Sequence, residues 1–397
     1  MKYSQNPIIR ARRRATSNLL YAVGNRNKPR RKGSALVFSV FLVSCLLIVS
    51  AIAIDFGHIS TSRSELKRTA DAAAMSACWE LFDGVSRGQN QAATQGLIAQ
   101  AASTIAAQNT VSSRPPTVNE QTDVQIGYYD LANPGALDTS SPDKFNAVRV
   151  SVRQTEASGT AIPLFFGGIT GRSEQSIETF STAALTKKIS GFYVPSEAGE
   201  TIDILPIALD LETWEQVLAK QTEDVISYSN GTVESGSDGL FECSLYPTGT
   251  GSPGNRGTVD IGSSNNSTAD LRRQILSGIS AQDMAELGKP LEFDLNGELE
   301  LNGDTGISAG IKTQLESIIG EPRIIPIFTK VEGNGNNATY TIVRFEGIRV
   351  LAVKLTGPMK KKHLTIQPCP MVARYSVYHK EEFEESEFLF TPVMLVE

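Results

Sequence analysis

RRKGSALVFSVFLVSCLLIVSAIAIDFGHISTSRSELKRTADAAAMSACWELF, residues 30–82, decides how the rest of the chain is organised. It opens basic, runs uncharged from Gly33 to Ile54, and then turns charged and alanine-rich. A 22-residue uncharged helix measures about 33 Å and covers a hydrocarbon core of about 30 Å. A soluble helix this uniformly apolar would need burial on every side. Residues 33–54 therefore read as a transmembrane helix.

A cleaved export signal is the competing reading, with Ala51–Ala53 as a small-x-small cut site and Leu36–Val49 as the apolar region. The basic segment before it is unusually long for a signal. No glycine or proline interrupts the run near Ala51, so the helix is expected to continue through the would-be site. Charge then sets orientation. Residues 1–32 carry ten Lys or Arg and no acid, whereas the remainder carries a net −16 within an overall −6. A basic flank next to an apolar span stays in the cytoplasm, which puts everything after Asp55 outside it. A basic arm can also bind nucleic acid, but no basic, aromatic-rich domain follows, so no nucleic-acid partner is expected.

Beyond the span, Leu66, Ala70, Ala73 and Ala77 repeat at four, three and four residues. This seam of small residues permits close helix approach. Two readings stay open: the seam packs on the chain's own globular body, or it docks on partner helices, including a second copy of this chain. Asp71 on this segment is either a solvated charge or a polar contact that fixes register. Asp55 would lie at the outer interface without needing a partner. Ser62 and Glu65 have capping-box spacing, which allows the helix to restart after Gly57.

These residues also carry a resemblance. Arg31-Lys32-Gly33-Ser34-Ala35 enters the apolar span, and Ile54-Asp55-Phe56-Gly57 leaves it. Together with Leu66-Lys67-Arg68-Thr69-Ala70-Asp71-Ala72-Ala73-Ala74, they resemble the N-terminal segment of TadG-like proteins of the Tad (Flp) pilus-assembly group. The resemblance covers about residues 30–80. It implies a single-pass inner-membrane protein whose exported part helps build or anchor a thin adhesive pilus or a related secretion apparatus. Related pseudopilins are cut by a prepilin peptidase and carry glutamate five residues after the cut. Here that position is Phe38, which speaks against processing after Gly33.

The rest of the chain, with its 33 glycines and 18 prolines, reads as β-rich. A second helix is expected at Gln91–Gln108, with Leu97, Ala101 and Ile105 on its buried face and Ile98 and Ala102 beside them. Alternation at Val124, Ile126 and Tyr128 and at Val148, Val150 and Val152 predicts strands, and Ala161–Phe166 and Ile177–Leu185 are further candidates. A second module begins near Gly191. In it "LETWEQVLAK" reads as a helix, and capped helices are expected at Ala269–Ser277 (cap Thr268) and Ala309–Ile319 (cap Ser308). Strands follow at Ile324–Val331, Tyr340–Phe345, Ile348–Leu355 and within Leu364–Tyr378.

No pattern for catalysis, cofactor or metal binding stands out. The three histidines lack partners at ligand spacing, and there is no Cys-x-x-Cys or phosphate loop. "DIGSS" at Asp260–Ser264 reads as a turn. Cys243 and Cys369 are either a disulfide of an exported body or two free thiols. Lys360–His363 reads as a solvated loop or a partner for the acidic stretch Glu381–Glu387.

The expected fold class is α+β. A transmembrane helix is extended by an Ala-rich helix, then come a pilin-like small antiparallel sheet and a second β-rich α/β module. The parts are 1–32 basic tail, 33–54 span, 55–110 exported helical segment, 111–190 small β-rich module and 191–397 second module. The functional expectation is a non-enzymatic assembly component in the bacterial inner membrane. Its N-terminus is cytoplasmic and its body periplasmic, and its partners are membrane lipid and other pilus or secretion proteins. An exported hydrolase, or a binding module released near Ala53, is the alternative.

Overall fold

The computed structural model describes residues 32–89, 91–246, 256–262, 267–333, 335–378 and 384–397. Residues 1–31 of the basic tail, His379 and parts of the 260–264 and 381–387 stretches lie outside the described residues. The chain divides into two units, Met1–Ile54 and Asp55–Glu397. In the first unit the described residues are helical, and the side chains from Ala35 to Ser50 are exposed.

Helix α1 (Lys32–Ser86) is one helix of 55 residues. Proline is absent from it, and its hydroxyls bond back to the preceding turn. Thr61, Ser62 and Ser64 donate to the carbonyls of Gly57, His58 and Ser60 at 2.9–3.1 Å. Ser62 is therefore helix interior rather than a cap, and the restart after Gly57 does not occur. With its hydroxyl turned back onto the His58 carbonyl, Ser62 caps no amide, and the helix runs on through it. Helix α2 (Gln91–Gln108) has the expected bounds. Its buried face is rotated by one residue, however: Ile98 and Ala102 are buried and Leu97 is 39% exposed.

In the second unit, α1 and α2 pack on a small antiparallel sheet. Its strands β1 (Val124–Gly127), β2 (Ala147–Gln154) and β3 (Ile177–Ala184) pair in that order. Val148, Val150 and Val152 alternate onto the helix-facing side, as a half-buried strand requires. The Ala161–Phe166 stretch is strand only at Ile162–Pro163.

A larger sheet follows, built from β4 (Ile207–Asp210), β5 (Cys243–Ser244), β6 (Gly257–Val259), β7 (Leu299–Asp304), β8 (Pro322–Glu332), β9 (Ala338–Lys354) and β10 (His363–Pro368). The order is β5-β10-β9-β7-β6-β4-β8, and β8 also pairs with β9, so five strands close on themselves in a barrel-like ring. Closure removes sheet edges. β9 is a single 17-residue strand where two were expected. Its first half pairs with β7 and its second with β10, while β8 pairs along both. Tyr340, Ile342, Leu301 and Ile324 fill one core. The opposite face, with Ile325, Ile327 and Val350, is covered by α3 (Leu211–Leu218), α4 (Thr268–Ser277) and, beyond the unpredicted α5 (Ala281–Leu287), α6 (Lys312–Ser317). The side-chain cap of α4 is Ser267, one residue before the expected Thr268.

The end of the described chain then returns. β11 (Leu389–Phe390) leads to β12 (Met394–Leu395), which pairs with β3 in the small sheet. The architecture is thus α+β, as expected.

Candidate functional site

The segment of α1 after Ile54 is the spine of the small module. Leu66, Ala70, Ala73 and Ala77 are at most 1% exposed and pack against Ile98, Val148, Val150 and Ala183. Of the two readings of the seam, the structure shows the first: these residues are covered by the chain's own helix and sheet. Small residues let the helix lie close to the sheet, the same geometry that would suit a partner helix. Cys78 sits in this core, and burial pushes its thiol up to about 12.

Two polar clusters fix the helix to the module. In the first, Asp55 is 5% exposed, and its carboxylate accepts the backbone N–H of Phe165 at 2.8 Å and of Phe166 at 3.1 Å. One turn on, His58 Nε2 meets Ser112 Oγ at 3.0 Å, and its ring lies 4.8 Å from that of Phe165. Glu65 accepts the Ser112 N–H at 3.1 Å. The expectation that Asp55 needs no partner is therefore corrected. A carboxylate this buried would be costly unpaired, and two amides of the 164–172 loop satisfy it.

In the second cluster, Asp71 accepts from Ser181 Oγ at 2.6 Å and pairs with Lys67 at 3.2 Å. Lys67 in turn donates to the carbonyl of Phe180 at 3.0 Å and to the main-chain oxygen of Glu397 at 3.2 Å. Asp71 thus fixes the register of the helix against its own strand β3, not against a neighbour. Gly57 faces open space, since a Cβ there would meet nothing within 4 Å. Gly33 lies within α1.

The remaining candidates are structural. Cys243 and Cys369 are free thiols. Cys243 pairs across from Ile366, three residues short of Cys369. Three residues of extended chain amount to about 10 Å, beyond the reach of about 7 Å that a disulfide allows. Glu384, Glu385 and Glu387 pair with Arg344, Lys188 and Lys187 rather than with the Lys360–His363 cluster, where Lys362 lies over Tyr246. Among the described residues no group of His, Cys, Asp or Glu is arranged to hold a metal ion.

One buried ionisable group stands out in the barrel. Burial raises Glu346 to about 7, although the N–H groups of Glu387 and Phe388 point at its carboxylate from 3.0–3.1 Å. These bonds tie β9 to the segment returning toward β11. Sequence reading missed Glu346, Ser181 and the Phe165–Phe166 loop. The uncharged run from Ala157 to Gly171 was the available signal for the loop.

Among the described residues one helix is long and apolar enough to cross a membrane, and it continues as the spine of a folded sheet. That combination is compatible with a module carried on a single-pass anchor. Residues 33–95 match the Tad family, described as Flp pilus-assembly TadE/G-like, and residues 70–183 match Tad_C, described as Tad-like Flp pilus-assembly. The stretch 33–183, which takes in α2 and all but the end residues of α1 and of the third strand of the small sheet, is therefore similar to these pilus-assembly families, extending the resemblance carried by residues 30–80. No curated protein and no solved structure matches the chain.

Proposed function

We propose that this chain is a single-pass, membrane-anchored structural component of a Tad (Flp)-type pilus or a related secretion apparatus. The span holds it in the inner membrane with the basic tail in the cytoplasm, and the small sheet and barrel form an exported, non-enzymatic scaffold. Membrane lipid and other pilus-assembly proteins are its partners. The observation that carries this reading is the continuity of α1. One unbroken helix leads from the uncharged run into the core of the small sheet, over the residues that match the pilus-assembly families. The outward direction follows from ten basic residues before the span against a net acidic remainder.

The test combines fractionation with a phenotype. The full-length chain should stay in the membrane pellet after a carbonate wash. Protease added to spheroplasts should digest residues 55–397, and loss of the chain should abolish Flp pili. A mature N-terminus at Ile54, release by carbonate, or normal piliation without the chain overturns the proposal.

A further inference from the structure

The loop that Asp55 holds is itself apolar and outward-facing. From Ala157 to Gly171 the chain carries no charge. Within that stretch Phe165 is 69% exposed, Phe166 40% and Ile169 52%, and Phe56 on the adjoining helix turn is 69% exposed. Large apolar side chains clustered in the open mark a contact surface rather than a core.

The loop is also built to hold its shape. Phe165 and Phe166 are fixed through their amides to Asp55, and the Phe165 ring rests beside His58. A helical turn, Gly167–Thr170, follows and is closed by Gly171 in the left-handed region at φ 76°. Gly167 is required, because a Cβ there would lie 1.9 Å from the Arg172 carbonyl oxygen. Arg172, exposed, supplies a cation at the rim.

The position of the loop along the chain identifies its occupant. Asp55 directly follows the last residue of the 22-residue run. A helix of that length uses up the hydrocarbon thickness, so Asp55 lies at the edge of the acyl region, and His58 lies about 5 Å further out. The headgroup zone is of similar depth on each side. The exposed phenylalanines clamped to positions 55–58 therefore sit at the depth where aromatic side chains favour the interface.

We propose that the Phe165–Ile169 tip inserts into the lipid interface on the exported side, giving the module a second contact with the bilayer beside its anchor. The inference rests on the membrane-anchored reading above.

The test uses the full-length chain in vesicles of phosphatidylethanolamine and phosphatidylglycerol. Phe165, Val43 or Leu295 is replaced, one at a time, by photoreactive p-benzoylphenylalanine. Val43 reports on the span, and Leu295, 84% exposed, reports on an accessible apolar position outside the tip. The expected result is lipid adducts at 43 and 165, each about tenfold above the yield at 295. Adducts at 43 with only the 295 background at 165 overturn the tip contact while leaving the anchor intact. No adduct at 43 overturns the anchor and the tip together. In native membranes, crosslinks from 165 to another protein instead of lipid overturn the proposal.

Discussion

Replacing Asp55 with alanine should loosen one loop selectively. The carboxylate is buried, and it accepts two amides, from Phe165 and Phe166, at 2.8–3.2 Å. A hydrogen bond to a charged group contributes about 1.5–3 kcal/mol. The loop lies at the protein surface, where freed amides can reach interfacial water, and the lower figure applies to each. Two bonds then amount to about 3 kcal/mol, roughly a hundredfold in the opening equilibrium. Hydrogen exchange of the full-length protein, read by mass on peptides covering 160–172, should accelerate by about that factor. Asp55→Asn keeps one acceptor oxygen and should give about tenfold. Strand β9, in the barrel, should exchange as before. Unchanged protection at 165–166, or acceleration spread equally over β9, would refute the clamp.

Ala73→Leu places extra bulk in a site with no exposed surface. It should destabilise the fold by about 1–3 kcal/mol through overpacking, visible as a lowered melting temperature; unchanged melting with altered oligomeric state would instead show that the seam faces a partner. Glu346 is raised from 4.5 to about 7 in the fold, so its neutral form is favoured. Its stabilising contribution is complete below about pH 4.5 and is lost as pH rises to about 7, on the order of 3 kcal/mol at about 1.4 kcal/mol per pH unit. Denaturant unfolding at pH 5 and pH 8 should show that slope in the parent and a flatter one in Glu346→Gln; equal slopes would remove Glu346 as its source.

How far the sequence could be read depended on how local each signal was. The uncharged run and the bounds of α2 were legible because composition and helix propensity act within a few turns. The seam's residues were legible but their partner was not, since an alanine stripe looks the same whether it meets a sheet or a second helix. On α2 the apolar pattern was dense enough that Leu97 and Ile98 competed for the buried face. β9 read as two strands broken at Glu346 and Gly347, a buried charge and a glycine in the middle of one continuous strand. Glycine is needed there because a Cβ at 347 would come within 2.4 Å of the Cys369 carbonyl oxygen. A register shift opposite Ile327 and Phe328 also changes the inward parity between Ile342 and Phe345. Barrel closure and the pairing of β12 with β3 join residues far apart in sequence, and no local pattern announces them. The Asp55 clamp was half legible: the acid was evident, but its partners lie 110 residues away.

The return of the chain to the small sheet has a mechanical consequence. The segment leaving β3 and the one arriving at β12 are bonded to each other, Thr391 N to Thr186 O at 2.8 Å and Ser386 N to Lys187 O at 3.0 Å. Lys187 and Lys188 add ion pairs to Glu387 and Glu385. The two sheets are therefore joined by two mutually bonded lengths of chain rather than one. A load on the large sheet is shared between both connections instead of passing through a single strand.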